Sequence, residues 1–349
     1  MTVTIKKIAK LAKVSIGTVD RVLHNRGEVS KKTADNIHKI LTELNYKPNV
    51  IASSLSSTKT IIFGVLMPNP EQDDRYWELP KKGIRKAEEE YREFKIKIEY
   101  YFFDKYSDVS FQATCNQVKR DMAKLNGLLI APVLSKSAEK FIKEIPAELP
   151  YVFFDSNIPD TKCVSFIGQK SFQSGIVAAK LMSISIKKPG TIAVLRVLPE
   201  DYHIDDRVAG FRSYFRNDNK IEIKLAECDR LKSDRIFQNV TEQIVSESHD
   251  LQGIFVPNAC TNKVAKSIIA QDLSRKIHII GYDLIDQNKY YLKNGMIDFL
   301  LSQRPEVQGY QGIVTLFRHV RLKKQIDANI FIPIDILTKE NIDSYQDQI

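Results

Sequence analysis

Four polar side chains occupy positions where an α/β fold would bring them together. Asp155, Asn258 and Asp283 each end an apolar run, and Arg207 opens a helical stretch that follows another such run. Ligands of α/β sheets lie beyond the carboxyl ends of the strands, so these side chains are candidates for one binding site. Carboxylate, amide and guanidinium groups together suit a ligand that carries many hydroxyl groups.

Each of these side chains also has a purely structural interpretation. Asp155 and Asp283 can cap the helices that follow them, because Asp is a preferred N-cap residue. Arg207 can pair with the aspartates that precede it, and Asn258 can hydrogen-bond a turn. The sequence leaves both interpretations open.

A second candidate set lies near the N-terminus, in the segment SIGTVDRVLHN at residues 15–25. Its apolar residues recur at helical spacing and are predicted to face inward. The outward positions are then Ile16, Gly17, Asp20, Arg21 and Asn25. An outward Arg near the start of a helix can donate two hydrogen bonds to a guanine in the major groove. The alternative is an exposed Arg that pairs with Asp20 or Glu28.

The positive charge of the chain is concentrated at its N-terminal end. The 349 residues carry a formal net charge of +9, and residues 1–60 hold 11 Lys and Arg against 4 Asp and Glu. A small basic domain attached to a nearly neutral large one is the pattern expected for nucleic-acid binding. A solvated basic surface is the alternative interpretation.

Composition argues against several classes of protein. No apolar run approaches the roughly 20 residues that span a bilayer, and the basic N-terminus is amphipathic, unlike a signal peptide. The four Cys are scattered without a CxxC pair, which argues against a zinc site or a disulfide framework. We therefore expect a cytoplasmic protein that binds no metal, cofactor or membrane.

The elements that position both candidate sets follow from apolar periodicity. Residues 1–48 predict three short helices, the first two separated by only a few residues, which is the helix-turn-helix arrangement. From Ile61 onward, apolar runs alternate with amphipathic stretches, and this rhythm predicts parallel sheets covered by helices. The second region is too long for one sheet, so we expect two similar lobes.

The first 55 residues resemble the LacI/GalR family of repressors. The resemblance rests on TIKKIAKLAKVSIGTVDRVLHN, VSKKTADNIHKILTELNYKPN and IASSL, and it runs without a gap over residues 3–55. It implies that positions 16, 17 and 21 read bases. Hydroxyl and amide groups can position the protein on phosphates, and the candidates for this role are Ser15, Thr18, Asn25, Thr33 and Tyr46. Asp20 stands where the family usually has serine, so we expect it to orient Arg21 or to accept from a cytosine.

The segment NVIASSL, at residues 49–55, resembles the hinge helix of the same family. The resemblance implies that two hinges pair on DNA and that Leu55 wedges between base pairs. It also implies that Asn49 and Ala52 belong to the DNA-binding set, with Ala52 letting the two hinge helices approach each other. A flexible linker is the alternative for the free protein, since so short a segment cannot hold a helix in water.

Residues 61–349 resemble the periplasmic-binding-protein-like sensor of this family. The landmarks are RVAGF at 207–211, GIFVPNA at 253–259, IIGYD at 279–283 and QRPEVQG at 303–309. The resemblance implies that Gln303 lies where the chain crosses between lobes and that an aromatic near the first strand stacks on a sugar. Tyr76 and Trp77 are the candidates, and core packing is the alternative for Trp77.

These interpretations combine into a set of expectations. The domains are a helix-turn-helix reader (1–48), a hinge and linker (49–60) and a two-lobed sensor (61–349). Lobe 1 covers about 61–166 and 304–330, and lobe 2 about 167–301 and 331–349. The function is a DNA-binding regulator, expected to be a repressor, controlled by a sugar or sugar derivative. It is expected to bind a pseudo-palindromic operator as a homodimer.

Two other classes of protein are built on the same α/β fold. One is a solute-binding transport component, which the N-terminal reader argues against. The other is a sugar-modifying enzyme that would use Asp155 and Asp283 as a carboxylate pair. No nucleophile–base arrangement, phosphate-binding Gly-rich loop or metal motif supports an enzyme.

Overall fold

A computed structural model describes residues 4–23, 27, 29–44, 46, 59–198, 202–229, 235–273 and 276–345. The contacts divide the chain into two units, Met1–Ser57 and Thr58–Ile349. The first unit is helical, and the second is an α/β structure with two sheets. This combination confirms the predicted fold class.

Three helices make up the described part of the first unit. They are α1 (Ile5–Ala12), α2 (Ile16–Leu23) and α3 (Lys31–Glu43). Thr4, Ser15 and Ser30 begin them, and each side-chain hydroxyl accepts the backbone N–H of the residue three positions on. Such caps satisfy amide groups that a helix leaves without an internal partner. One apolar core joins the helices: Ile8, Ala9, Ala12, Val19, Val22 and Ile37.

The second unit contains two six-stranded sheets. The strands are β1 (Ile61–Pro68), β2 (Ile96–Phe103), β3 (Gly127–Ile130), β4 (Tyr151–Phe154), β5 (Ser165–Gly168), β6 (Gly190–Leu198), β7 (Ile221–Asp229), β8 (Leu251–Phe255), β9 (His278–Tyr282), β10 (Phe299–Ser302), β11 (Asn329–Phe331) and β12 (Asp335–Leu337). The first sheet has the order β11-β5-β4-β3-β1-β2 and is parallel throughout. The second has the order β12-β10-β9-β8-β6-β7, in which only β12 is antiparallel. Each sheet with its helices forms one lobe.

The helices of the second unit are α4 (Glu78–Glu90), α5 (Asp108–Asp121), α6 (Ser135–Ile142), α7 (Ser171–Ser185), α8 (Tyr202–Tyr214), α9 (Ile236–Glu247), α10 (Thr261–Ala270), α11 (Asp286–Lys293) and α12 (Pro305–Val320). One helix pair in each lobe packs with its backbones in contact. A Cβ added at Gly83 of α4 would lie 1.8 Å from the carbonyl oxygen of Glu306, and one added at Gly175 of α7 would lie 2.0 Å from that of Arg207. Only glycine permits this approach, so Gly175 helps to set the position of Arg207.

The chain crosses between the lobes three times: between β5 and α7, between β10 and α12, and between β11 and β12. The buried Gln169 lies in the first crossing. Its Nε2 donates to the carbonyl of Ser302 (2.8 Å), in the second crossing, and to that of Pro333 (2.9 Å), in the third. One amide therefore ties the three crossings together.

The apolar alternation did not predict four of the strands. β5, β10, β11 and β12 have only three or four residues each, and all four adjoin a crossing. β3 and β4 are equally short but were predicted, because each lies within a longer apolar run of the sequence. Helix α8 also begins at Tyr202, five residues before its predicted start at Arg207. Among the described residues, no helix has the length and apolar character needed to cross a membrane.

Candidate functional site

Helix α2 presents a distinct set of side chains at its first turns. Ser15, Ile16, Gly17 and Arg21 are exposed, and Ile16 is 52% exposed. Thr18 and Asp20 are half-buried. The structure therefore keeps the predicted base-reading positions on the outside of the helix.

The remaining predicted DNA contacts lie partly within the described residues. Thr33, in the first turn of α3, and Tyr46, just after that helix, are both half-buried. Asn25, Asn49, Ala52 and Leu55 lie outside the described residues, so the hinge prediction stays a prediction.

Two aspartates occupy matching places in the two lobes. Asp155 follows β4 and Asp283 follows β9, and both have left-handed backbone conformations, with φ of 67° and 69°. Asp tolerates this region better than most residues do. Both side chains are nearly fully buried, and they line the same cavity between the lobes.

Gln303 connects the two lobes through this cavity. Its Nε2 donates to the hydroxyl of Tyr76 (2.8 Å), in the first lobe, and to Oδ1 of Asp283 (3.1 Å), in the second. The Tyr76 hydroxyl donates in turn to Asp155. Burial, together with Asp155 and Asp283, raises the pKa of Tyr76 well above its ordinary value, so this hydroxyl stays a neutral donor.

Arg207 is buried beside Gln303 and has a free donor. Its guanidinium donates to the Gln303 side chain and to the Pro257 carbonyl, both at 2.9 Å, and lies 3.9 Å from the Tyr282 ring centroid. Its Nε is buried and has no hydrogen-bond partner among the described residues. Of the two aspartates before it, Asp205 pairs with Arg196 instead.

The cavity that these residues line is small. Its volume is about 20 Å³, roughly the space of one water molecule. The lining residues are Asp73, Tyr76, Lys105, Asp155, His203, Ile204, Arg207, Asn258, Ala259, Cys260, Asp283 and Gln303. A monosaccharide does not fit in this conformation, so a ligand of that size requires the lobes to separate.

Three ionisable residues of the cavity were missed by the sequence analysis. Asp73 follows β1, Lys105 follows β2, and His203 lies one helical turn before Arg207 in α8. The rule that placed Asp155 and Asp283 at strand ends would also have found Asp73 and Lys105. His203 carried a weaker signal, its spacing of four residues from Arg207.

Trp77 packs behind the cavity and does not line it. Its side chain is fully buried, forms an edge-to-face contact with Phe154, and donates through Nε1 to Asp73 (3.1 Å). Core packing, the alternative considered from the sequence, is the arrangement in this conformation. Tyr76 is the member of the aromatic pair that lines the cavity.

Two buried amides hold the loops that carry the site. Asn288 donates through Nδ2 to the carbonyls of Ala259, Tyr282 and Asp283, and its Oδ1 accepts the N–H of Asn262. In the first lobe, Gln308 accepts the N–H of Asp155 and donates to the Gln303 carbonyl. Asn258 itself accepts the N–H of Cys260, so it stabilises a turn while also lining the cavity.

The protonation of Asp283 gives the site a pH dependence. Burial raises the pKa of Asp283 from 3.8 to about 6; Arg207 opposes the rise and Asp155 adds to it. The folded protein then binds this proton more tightly than the unfolded chain does. The stabilisation from Asp283 is present below about pH 4 and is lost as the pH rises through about 6, by about 3 kcal/mol in all.

We expect Asp283→Asn to remove this dependence. Relative to the parent, the free energy of unfolding of the variant should rise between pH 4 and 7, as measured by urea denaturation. Asp286→Asn, at a fully exposed position nearby, is the control and should leave the parent profile unchanged. Parallel profiles for the parent and Asp283→Asn would show that Asp283 ionises normally.

Two family models match the chain. One, described as bacterial regulatory proteins of the lacI family, matches residues 4–49. The other, described as a periplasmic binding protein domain, matches residues 63–325. Among the described residues, no cluster of His, Cys, Asp or Glu could hold a metal ion.

Individual proteins resemble one or both parts of the chain. Catabolite control protein A of Staphylococcus xylosus is 41% identical over 69 residues, 20% of this chain and 21% of that protein. The HTH-type transcriptional regulator MalR of Streptococcus pneumoniae is 41% identical over 80 residues, 23% of this chain and 24% of that protein. The matched segments thus span less than a quarter of these curated relatives. A solved structure from Bacteroides fragilis, described as a LacI transcriptional regulator, has a TM-score of 0.76 and 28% identity, covering 82% of this chain and all of that one.

Proposed function

We propose that the chain, which belongs to the family of the periplasmic binding protein domain and has an N-terminal match to the lacI family of bacterial regulatory proteins, is a DNA-binding transcription regulator controlled by a small molecule. We assign the reader to residues 1–48, the hinge and linker to 49–60 and the sensor to 61–349. The action proposed is repression, in the cytoplasm. No enzymatic activity is proposed.

The observation that carries DNA binding is the exposed face of α2. Ile16 and Arg21 lie uncovered on the outside of a helix whose opposite face is in the core. An exposed Ile can contact a thymine methyl group, and Arg can donate two hydrogen bonds to guanine. Exposed basic side chains in the same unit supply attraction to phosphates: Lys6, Lys7, Lys10, Lys13, Lys31 and Lys32. One reader recognises a half-site, so we propose a homodimer on a pseudo-palindromic operator.

The proposed effector is a sugar or sugar derivative. The cavity presents carboxylates (Asp155 and Asp283), amides (Asn258 and Gln303) and the unpaired Nε of Arg207. Such groups match the alternating donors and acceptors of a polyol. Because the cavity is so small, we propose that effector entry requires an open form of the sensor, so binding changes the balance between open and closed forms.

The enzyme alternative has less support from this geometry. Asp155 and Asp283 are engaged by Tyr76 and Gln303, respectively, and lie in a cavity with space for about one water molecule. A glycosidase would need these two groups to flank a bound substrate.

Selection from random DNA followed by an effector screen tests the proposal on the full-length chain. We expect a pseudo-palindromic site to be enriched, and at least one sugar to raise the thermal midpoint and to shift the Kd for that site. Failure to enrich any site would refute the proposal that the chain is a sequence-specific DNA-binding regulator. An enriched site that no sugar affects would refute only the proposed effector class.

A further inference from the structure

The turn between β1 and α4 has an unusual backbone. Asp73, Asp74 and Arg75 have φ values of 54°, 54° and 68°, so three consecutive residues with side chains lie in the left-handed region. Asp enters this region as single residues, and a run of three is strained for L-amino acids. Strain of this kind persists where surrounding contacts hold it, and it is concentrated at ligand clamps and switch regions.

The contacts of Asp73 hold one end of the turn within the first lobe. Its carboxylate accepts from Nε1 of Trp77 (3.1 Å), lies 3.4 Å from Nζ of Lys105, and accepts from the Tyr106 hydroxyl. Asp73 is 8% exposed, so these groups replace most of its hydration. These three contacts of Asp73 are all with residues of the first lobe.

The contacts of Asp74, in contrast, cross the cleft. Its Oδ2 accepts from Nδ2 of Asn262 (3.2 Å) and lies 3.6 Å from Nζ of Lys263. Both partners are in the first turn of α10, in the second lobe, where the positive end of the helix dipole also favours a carboxylate. The hydrogen bond and the ion pair of the Asp74 carboxylate are therefore both lost when the lobes separate.

The contact of Asp74 lies in an interface where the two lobes pack against each other. Ala259 and Ile285 of the second lobe pack in the apolar core of the first. Asn288 fixes the start of α10 through the N–H of Asn262. The side chains of Asp74 and Lys263 are 37% and 29% exposed, so the pair lies at the solvent-accessible edge of this interface.

We propose that the turn Asp73–Arg75 is a strained latch, closed by the contact of Asp74 with Asn262 and Lys263, that sets the balance between the open and closed forms of the sensor. The closed contact compensates for the backbone strain, and separation of the lobes releases it. The inference rests on the proposed function only in taking opening as the route for the effector. Its test requires neither effector nor DNA, so the two proposals can fail separately.

The only tryptophan of the chain provides a probe in the same turn. Trp77 is fully buried and bonded to Asp73, so release of the latch should expose its indole to acrylamide. In the full-length protein at low salt, we expect Lys263→Glu and Asp74→Lys each to raise the Trp77 quenching constant about fivefold, since each places like charges together. The swapped double variant, Asp74→Lys with Lys263→Glu, should return the constant to near that of the parent. Lysine fits the conformation, because Lys13, Lys95 and Lys323 also have positive φ.

Lys266→Glu is the matched control, since it makes the same charge change at an exposed position one turn further along α10. The Trp77 quenching constant of this variant should equal that of the parent. If the quenching constants of the single variants at 74 and 263 are no higher than that of this control, Asp74 does not hold the turn. If their quenching constants are higher but the swapped double variant does not return to the parent value, the effect is not due to the pairing of Asp74 with Lys263. Either result overturns the latch.

Discussion

Replacing Arg21 with alanine is expected to remove most of the preference for the operator over random DNA while leaving binding to any duplex largely intact. A bidentate contact from Arg to guanine contributes about 1–3 kcal/mol of discrimination. A dimer makes the contact in both half-sites, so the operator loses about 2–6 kcal/mol, or roughly 30-fold to 10⁴-fold in affinity. Phosphate contacts by other side chains supply the remaining attraction. Fluorescence anisotropy on the selected operator and on a scrambled duplex measures both quantities.

Lys10→Ala is the control for the Arg21 experiment. Lys10 is exposed in the last turn of α1. We expect its loss to weaken binding to both duplexes equally and to reduce the salt dependence of the binding affinity. If Arg21→Ala showed the same uniform loss, Arg21 would be a phosphate contact. Sequence reading would then have to come from other residues of α2, such as Ile16.

The helical unit was predictable because its apolar residues repeat at 3.6-residue spacing and its caps have distinctive side chains. Ser15 and Ser30 begin α2 and α3, and the inward residues of α1 and α2 form the core. The long strands of the sensor were predictable for a similar reason, since a buried parallel strand reads as a continuous apolar run. Strands of three or four residues at the crossings produce no such pattern.

The candidate site was predictable only in the part that follows continuous apolar runs in the sequence. Asp155 and Asp283 lie at the ends of β4 and β9, where the topology rule expects them. The orientation of a side chain is not contained in that rule. Trp77 and Tyr76 are neighbours, yet only Tyr76 lines the cavity, and both follow the left-handed turn at Asp73–Arg75. That turn depends on contacts with residues distant in sequence, such as Tyr106 and Lys263, which a local pattern does not reveal.

The closed cavity constrains how an effector could act. A ligand shifts the balance of two forms only by the difference in its affinity for them. In the closed form the polar groups already satisfy one another through Gln303, so an effector must replace these bonds while it separates the lobes. The Nε of Arg207 is the exception, because it has no partner to give up among the described residues. Arg207 is therefore where we expect the effector to gain most.

Replacing Arg207 with methionine is expected to give the largest loss of effector affinity of any single change in the sensor. A hydrogen bond from a charged group contributes about 1.5–3 kcal/mol, which is roughly 10-fold to 150-fold in Kd. The pKa of Asp283 should also rise further, since Arg207 opposes the effect of burial. Calorimetry with the sugar found by screening gives the Kd, and its pH dependence reports Asp283. Operator affinity without effector should change little, because the reader is a separate unit.

Two further variants separate a role in binding from a role in folding. Arg207→Lys keeps the charge but loses the planar fork, so it should fold more stably than the methionine variant and still bind effector at least about 10-fold more weakly than the parent. Arg212→Met removes a guanidinium from the exposed face of the same helix and should match the parent in every measurement. If Arg207→Lys bound the effector as tightly as the parent, the fork would not be a ligand contact. Arg207 would then act only by holding Gln303 and the Pro257 carbonyl in place, and the effector would have to be recognised by the carboxylates and amides alone.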